Sequence, residues 1–281
     1  MKNYYILDGK LLKERYITLA GLKRGFLYGD GVFETLHPEN YHVFRWDDHW
    51  ERLMKGLEVC GLEIKENSGR LKDRIETALK RYRLADAYVR VSVFRRATDS
   101  FDPGTERRTN VLVAMKKHHP YPEKFYRRGI RCAVSEKYCR NEKSPLVYIK
   151  SLNYLENLLA RLDAGRNGCE ESILLNTRGF LASASVSNLF FVKGKTIFTP
   201  SIDCGILSGI TRKAVLEICK KQDIKVREGM FPPEKLRSAD EVFLTNTLMG
   251  VMPVREVKGL FKTRKFLFVG MLRKELKKLT G

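Results

Sequence analysis

Met115-Lys-Lys-His-His-Pro-Tyr-Pro-Glu123 constrains the fold of this chain more than any other segment. It is polar, carries two prolines, and stands between two series of apolar alternating runs. Proline cannot donate to a sheet ladder and biases its predecessor away from helix, so neither series can run through it. The chain is therefore expected to fold as two parts, 1–119 and 120–281, with the boundary near Pro120. At 281 residues, 43% of them hydrophobic, it is long enough to bury a substantial core.

Before the boundary, strand-like runs fall at 4–7, 31–35, 42–44, 87–94 and 110–114, interrupted by helical patterns at roughly 47–60 and 68–83. This predicts an α+β domain with an antiparallel sheet. After it, Leu152, Leu155, Leu159 and Leu162 recur at helical spacing, with Gly165 placed to end the helix. These leucines are expected to pack a core. Strands are predicted at 172–175, 188–192 and 196–198, the last two joined by a Lys193-Gly-Lys195 turn. A helix over 209–222, a strand over 241–245 and a basic closing helix complete a two-domain α+β or α/β chain.

The net charge of +20 comes from 53 Lys and Arg against 33 Asp and Glu, interleaved along helical faces. No helix-turn-helix, zinc finger or aromatic RNA-binding signature accompanies it, so nucleic acid is not the expected partner; steering of a small anionic substrate is. Six scattered cysteines lack a Cys-x-x-Cys pair, and His118-His119 has no partner cluster in sequence. No metal site is expected, and the thiols suit a reducing compartment. No run reaches the apolar length of a membrane helix, so a cytoplasmic protein with no membrane partner is expected.

Three separate segments carry chemistry. Lys150 precedes Ser-Leu-Asn-Tyr154, which is read as opening a helix. Leu207-Ser-Gly-Ile-Thr-Arg212 combines an N-cap serine, Ser208, with Gly209 and the free amides of Ile210 and Thr211, as a phosphate seat requires. Thr245-Asn-Thr247 ends a strand on a polar loop. A lysine able to form an imine, together with phosphate seats, suggests a phosphorylated aldehyde cofactor.

Together with Arg24-Gly-Phe-Leu-Tyr-Gly-Asp-Gly-Val-Phe-Glu-Thr35, Phe44-Arg-Trp-Asp-Asp-His-Trp-Glu-Arg-Leu53, Tyr88-Val-Arg90 and Asn246-Thr-Leu-Met-Gly-Val-Met-Pro-Val254, these segments resemble, in order and over nearly the whole chain, the fold-type IV pyridoxal-phosphate enzymes. That group includes branched-chain and D-amino acid aminotransferases and aminodeoxychorismate lyases. The resemblance implies pyridoxal 5'-phosphate held as a Schiff base on Lys150, which also moves the substrate α-proton. It implies that Arg45, Ile210, Thr211 and Thr247 hold the phosphate, and that Tyr154, Ser183, Ser187, Asn188, Gly209 and Asn246 complete the cofactor site. Tyr28, Phe33, Tyr88, Arg90, Arg95 and Leu248 fall where such enzymes line the substrate pocket, and a homodimer is implied.

One position departs from the family pattern: Ser183 stands five residues before Asn188, where a glutamate that protonates the pyridine nitrogen is usual. A neutral serine supports a pyridinium less well and weakens the electron sink on which transamination leans. Asn246-Thr-Leu-Met249 also resembles the lyase segment. The expected activity is thus 4-amino-4-deoxychorismate lyase, giving 4-aminobenzoate and pyruvate for folate synthesis. An amino acid:2-oxo acid aminotransferase of the D-amino acid or branched-chain type is the alternative, and a weakly active or inactive cofactor-binding protein is the alternative of another class.

Overall fold

A computed structural model describes residues 4–12, 23–96, 101–102 and 104–280. Contacts divide the chain into one unit of Met1–His119 with Ile149–Asn153, and a second of Pro120–Tyr148 with Tyr154–Gly281.

The first unit contains β1 (Tyr4–Leu7), β2 (Lys10–Leu12), α1 (Lys23–Tyr28), β3 (Gly31–Leu36), the small hairpin β4 (Pro38–Glu39) and β5 (His42–Val43), α2 (Trp46–Val59), α3 (Ser68–Arg81), β6 (Ala87–Arg95) and β7 (Thr109–Lys117). Its main sheet is antiparallel in the order β2-β1-β7-β6-β3. Alternation gives the sheet two unlike faces. Val32, Leu36, Val89, Val91, Val93, Val111, Val113 and Met115 share one buried cluster with Leu53, Leu57, Leu71, Ile75 and Leu79 of the two long helices. Each such side chain contributes about 1.5–3 kcal/mol when fully buried. The intervening positions, Phe33 and Thr35 on β3 and Tyr88, Arg90 and Ser92 on β6, lie on the opposite face in register.

Glu34 is the exception on the core face, at 2% exposure. It accepts from Arg52 Nε and Nη2, both at 2.7 Å, and pairs with His49 Nδ1 at 2.8 Å. Burial pushes the Glu34 carboxyl up, but the Arg52 charge and the bonds from Arg52 and His49 overcome it and hold the pKa at about 2.

Lys150, expected in the second domain at the start of a helix, belongs to the first unit. Lys150 O accepts from Phe33 N at 2.8 Å, Leu152 N donates to Gly31 O at 2.9 Å, and Val32 and Ser151 form an antiparallel bridge. The free edge of β3 captures five residues of a distant segment, a pairing too short and too polar to show as a strand in sequence.

The second unit contains α4 (Glu123–Arg128), β8 (Ile130–Arg140), α5 (Leu155–Arg166), β9 (Glu171–Asn176), β10 (Leu181–Ala184), β11 (Asn188–Lys193), β12 (Thr196–Pro200), α6 (Ile210–Lys221), β13 (Lys225–Gly229), β14 (Glu241–Asn246), β15 (Gly250–Val257), β16 (Phe261–Lys262) and α7 (Leu267–Thr280). Its sheet runs β10-β9-β8-β15-β14-β11-β12-β13, and a pairing of β10 with β11 through Ser183 and Asn188 closes six of these strands into a ring. Gly194, at φ +59°, makes the turn between β11 and β12. β8, unforeseen because Glu136 and Lys137 interrupt its apolar run, is the spine of the ring, pairing in parallel with both β9 and β15.

Of the leucines expected to pack a core, Leu152 is half-buried and precedes α5, while Leu155, Leu159 and Leu162 face outward together with Leu158. Leu155, Leu158, Leu159 and Leu162 are 66%, 55%, 38% and 51% exposed, while Asn157, Ala160 and Ala164 are the buried positions of α5. Small side chains let the helix lie close against β8 and β9, which turns the leucines outward. Among the described residues, no helix is long and apolar enough to cross a membrane.

Candidate active site

In the first unit, several of the candidate side chains gather on the face of the sheet opposite the core. Phe33, 3% exposed, has the Arg90 guanidinium 3.5 Å and the Lys150 ammonium 4.5 Å from its ring centroid. An aromatic face bordered by two cations suits an anionic, flat ligand, because the quadrupole orients both cations without neutralising either. Arg90 Nε also donates to Ser92 Oγ at 3.3 Å, and Lys116 Nζ lies 5.0 Å from the Tyr88 centroid. Asn153 Nδ2 donates to Gly29 O at 3.1 Å and so helps fix the Lys150 segment to the loop before β3.

Arg45 is the N-cap of α2 in the left-handed region, at φ 52°. For an arginine this conformation costs of order 1 kcal/mol or more, which the surrounding contacts of α2 must offset. Its Nη1 donates to Asp48 Oδ2 at 3.0 Å. The ion network of Glu34, His49 and Arg52 anchors the same helix to β3.

Arg95 is corrected. It continues the core-side alternation of β6 rather than the Tyr88 and Arg90 face, and is 8% exposed. Its guanidinium donates to Asp30 Oδ2 at 2.9 Å, to Cys60 O at 2.9 Å and to Glu106 O. These three partners make Arg95 a structural clamp on the face of the sheet opposite Arg90. Tyr28 is 44% exposed and meets Phe101 edge-on at 5.3 Å.

The second unit builds its constellation around Asn188. On one side of β11 this residue pairs with Thr245 and on the other with Ser183. Its Nδ2 donates to Leu207 O at 2.9 Å, drawing the loop before α6 onto the strand. Gly209 is required there, since a Cβ would collide with Asn188 Oδ1. Gly209, not Ser208 as expected, is the N-cap of α6, and no side chain caps the helix. The first-turn amides of buried Ile210 and Thr211 therefore lack a side-chain cap. Beside them, the Ser187 and Thr245 hydroxyls are buried with no hydrogen-bond partner. An uncapped helix N-terminus next to two orphaned hydroxyls matches the donor set a phosphate monoester requires.

Asn246 organises the adjoining turn: its Oδ1 accepts from the amides of Leu248 and Met249, both at 2.9 Å, and its Nδ2 donates to Val186 O at 3.3 Å. Thr247 and Leu248 lie half-buried on that turn.

Ser183 is 6% exposed and fully engaged. It accepts from Arg140 Nε at 3.1 Å and donates to Ala184 O at 3.0 Å. Arg140 further donates to Asn157 Oδ1 at 3.2 Å and to the carbonyls of Ala184 and Ser185 at 3.3 and 3.2 Å. Burial lowers its pKa from the ordinary value, opposed by charges that include Tyr154, the N-cap of α5. Glu171, 3% exposed, accepts from the Ser185 hydroxyl. Sequence reading missed Arg140, Asn157 and Glu171. Arg140 ends a strand that was not foreseen, and the other two look like ordinary polar residues of a helix and a strand end.

The family model described as Amino-transferase class IV matches residues 31–257. Over 99% of this chain and 94% of its own length, the putative branched-chain-amino-acid aminotransferase of Methanocaldococcus jannaschii is 33% identical. The aminodeoxychorismate lyase of Bacillus subtilis is 29% identical over 90% of this chain and 86% of its own. Among solved structures, the T.th. branched-chain amino acid aminotransferase with pyridoxamine 5'-phosphate superposes with a TM-score of 0.92 at 25% identity, covering 100% of this chain and 95% of that one. With a model match across most of the chain and a one-third-identical relative over its full length, this protein belongs to the class IV aminotransferase family of enzymes.

Proposed function

We propose that this enzyme is a pyridoxal-phosphate lyase that converts 4-amino-4-deoxychorismate to 4-aminobenzoate and pyruvate. The observation that carries the reading is the Ser183–Arg140 pair: a neutral hydroxyl backed by a guanidinium stands where the family pattern has a carboxylate. Bound pyridoxal phosphate supplies a conjugated system that takes up the electron pair left when a proton departs from the carbon bearing the substrate amine. Ser183, already accepting from Arg140 and donating to Ala184 O, offers no acid to strengthen that uptake. A reaction with its own driving force tolerates this, and aromatisation of the substrate ring is such a force.

In this reading the Ile210 and Thr211 amides and the Ser187 hydroxyl hold the phosphate, and Lys150 Nζ takes the proton from the amine-bearing carbon. The bond to the side-chain oxygen then breaks, pyruvate leaves as its enol, and the ring is left aromatic. Arg90, held against Phe33, faces the substrate carboxylate, and the +20 net charge steers the dianion inward. A reducing, cytoplasmic setting is proposed on the six free cysteines.

Steady-state assays with 4-amino-4-deoxychorismate, set against branched-chain or D-amino acids with 2-oxoglutarate, test the reading. Lyase turnover is expected to exceed transamination by at least tenfold. In Ser183→Glu, where a carboxylate meets Arg140, the ratio of transamination to lyase turnover is expected to rise at least tenfold. The second reading, an amino acid:2-oxo acid aminotransferase, is favoured by the Methanocaldococcus relative, and it replaces the first if wild type transaminates faster than it eliminates.

A homodimer is proposed as well, joined through α5. Leu155, Leu158, Leu159 and Leu162 fall at i, i+3, i+4 and i+7 and form an outward apolar stripe of the kind that helices bury in pairs. Leu158→Glu combined with Leu162→Glu is expected to turn a dimer into a monomer in sedimentation velocity, with folding retained by circular dichroism. A dimer that survives both substitutions places the interface elsewhere.

A further inference from the structure

His118 has no partner ligands nearby in sequence, and the fold supplies two. His37 follows the last residue of β3, Asp86 precedes the first residue of β6, and His118 follows the last residue of β7. In the sheet β6 lies between β3 and β7, and the register Leu36 with Val89 and Ala87 with Lys117 brings the three strand ends to one place. His118 N donates to Asp86 O at 3.1 Å, and Glu39 bridges Asp86 from the other side, so the aspartate backbone is pinned twice.

The side chains converge on a single oxygen. His37 Nε2 is 2.8 Å and His118 Nδ1 3.2 Å from Asp86 Oδ1, with the imidazole centroids 4.2 Å apart. One potential ligand atom from each residue lies within 4.8 Å of the other two. The His118 side chain is 7% exposed and its Nε2 is buried without a hydrogen-bond partner, so Asp86 is the polar group that orients the ring. Asp86 is 53% exposed, which leaves the cluster open to solvent on one side.

We propose that His37, Asp86 and His118 form a binding site for a divalent transition metal of the zinc class, tying together the ends of three strands of the first unit. Ligand bonds of about 2.0–2.2 Å in tetrahedral geometry put neighbouring donor atoms roughly 3.3–3.6 Å apart. The His118 Nδ1 separation from Asp86 Oδ1 is within about 0.4 Å of that tetrahedral edge, and the His37 Nε2 separation is about 0.5–0.8 Å short of it, so small side-chain rotations admit the ion. Two imidazoles and one carboxylate match zinc, cobalt and nickel better than the all-oxygen shells of calcium and magnesium. The exposed flank of Asp86 leaves room for water as a fourth ligand. Both hydrogen bonds to Asp86 give way as the metal takes the nitrogen lone pairs, and each neutral imidazole then carries its proton on its other ring nitrogen.

The test is titration of the cofactor-loaded enzyme with Co²⁺ alone, read at the visible ligand-field bands, with Zn²⁺ competition and thermal unfolding in parallel. One equivalent with tetrahedral intensity is expected, displaced by Zn²⁺, together with a rise in Tm of about 5 °C at a hundredfold excess over Kd. His37→Ala, His118→Ala and Asp86→Asn are each expected to lose the band and the rise in Tm, and His42→Ala to keep both. Asp86→Asn preserves shape and an acceptor oxygen, so it separates loss of ligation from loss of fold. No saturable band in wild type, or a band unchanged in Asp86→Asn and in the doubly substituted His37→Ala/His118→Ala protein, overturns the proposal and leaves adventitious binding only.

Discussion

Replacing Lys150 by alanine is expected to lower kcat by about 10⁴-fold or more, since it removes both the amine that forms the imine and the group that carries the proton. The fold is expected to survive, because the segment is held by its backbone: Phe33 N to Lys150 O and Leu152 N to Gly31 O are unaffected by the side chain. The variant is expected to retain the phosphate contacts around Asn188 and so still take up pyridoxal phosphate, in a form that borohydride no longer fixes to the protein. Mass spectrometry of the reduced wild type should find the pyridoxyl adduct on the peptide containing Lys150. An adduct on another lysine, or more than a tenth of wild-type turnover in the alanine variant, removes Lys150 from the chemistry.

Glu34→Gln is expected to cost about 3–5 kcal/mol of stability, the usual consequence of leaving one member of a buried ion pair, here Arg52, without its counter-charge. In a chain of this size that corresponds to a fall in Tm of roughly 5–8 °C. The pH dependence follows from the same contact. Folding depresses the Glu34 pKa to about 2, so its contribution is fully present above the unfolded value near 4.5 and is lost as pH falls toward 2. Such a shift amounts to on the order of 3 kcal/mol. Urea midpoints are expected to separate wild type from Glu34→Gln most widely at pH 6–7 and to converge as pH falls from 4.5 toward 2. Parallel curves across that range leave the Glu34 charge without a role in the core.

How much of this was legible in the sequence varied with how local the cause was. Alternation and helical spacing brought out 31–35, 87–94, 188–192 and 241–245 as strands and the two helices of the first unit to within two residues, because side-chain burial on one face writes a period directly into the chain. The Lys193-Gly-Lys195 turn was equally local, since Gly194 supplies a positive φ that other residues resist. β8 was not legible: its exposed later half reads as polar, and it becomes a strand only when β9 and β15 offer parallel ladders on both sides.

By itself, then, the sequence determined the elements whose stability is local and the family to which the chain belongs, and it proposed Lys150, Arg45, Asn188, Gly209, Ile210 and Thr211 as site residues. Tertiary structure alone decided which partner each of those groups met. It gave the Lys150 segment to the edge of β3, set Arg140 against Ser183 across 43 positions, turned Arg95 into a clamp on Asp30, and faced the α5 leucines outward. It also brought His37, Asp86 and His118 together across gaps of 49 and 32 residues. The physical reason is common to all five: a backbone edge, a guanidinium or an imidazole finds its partner through sheet register and helix packing, and these contacts, distant in sequence, leave no periodic trace in it.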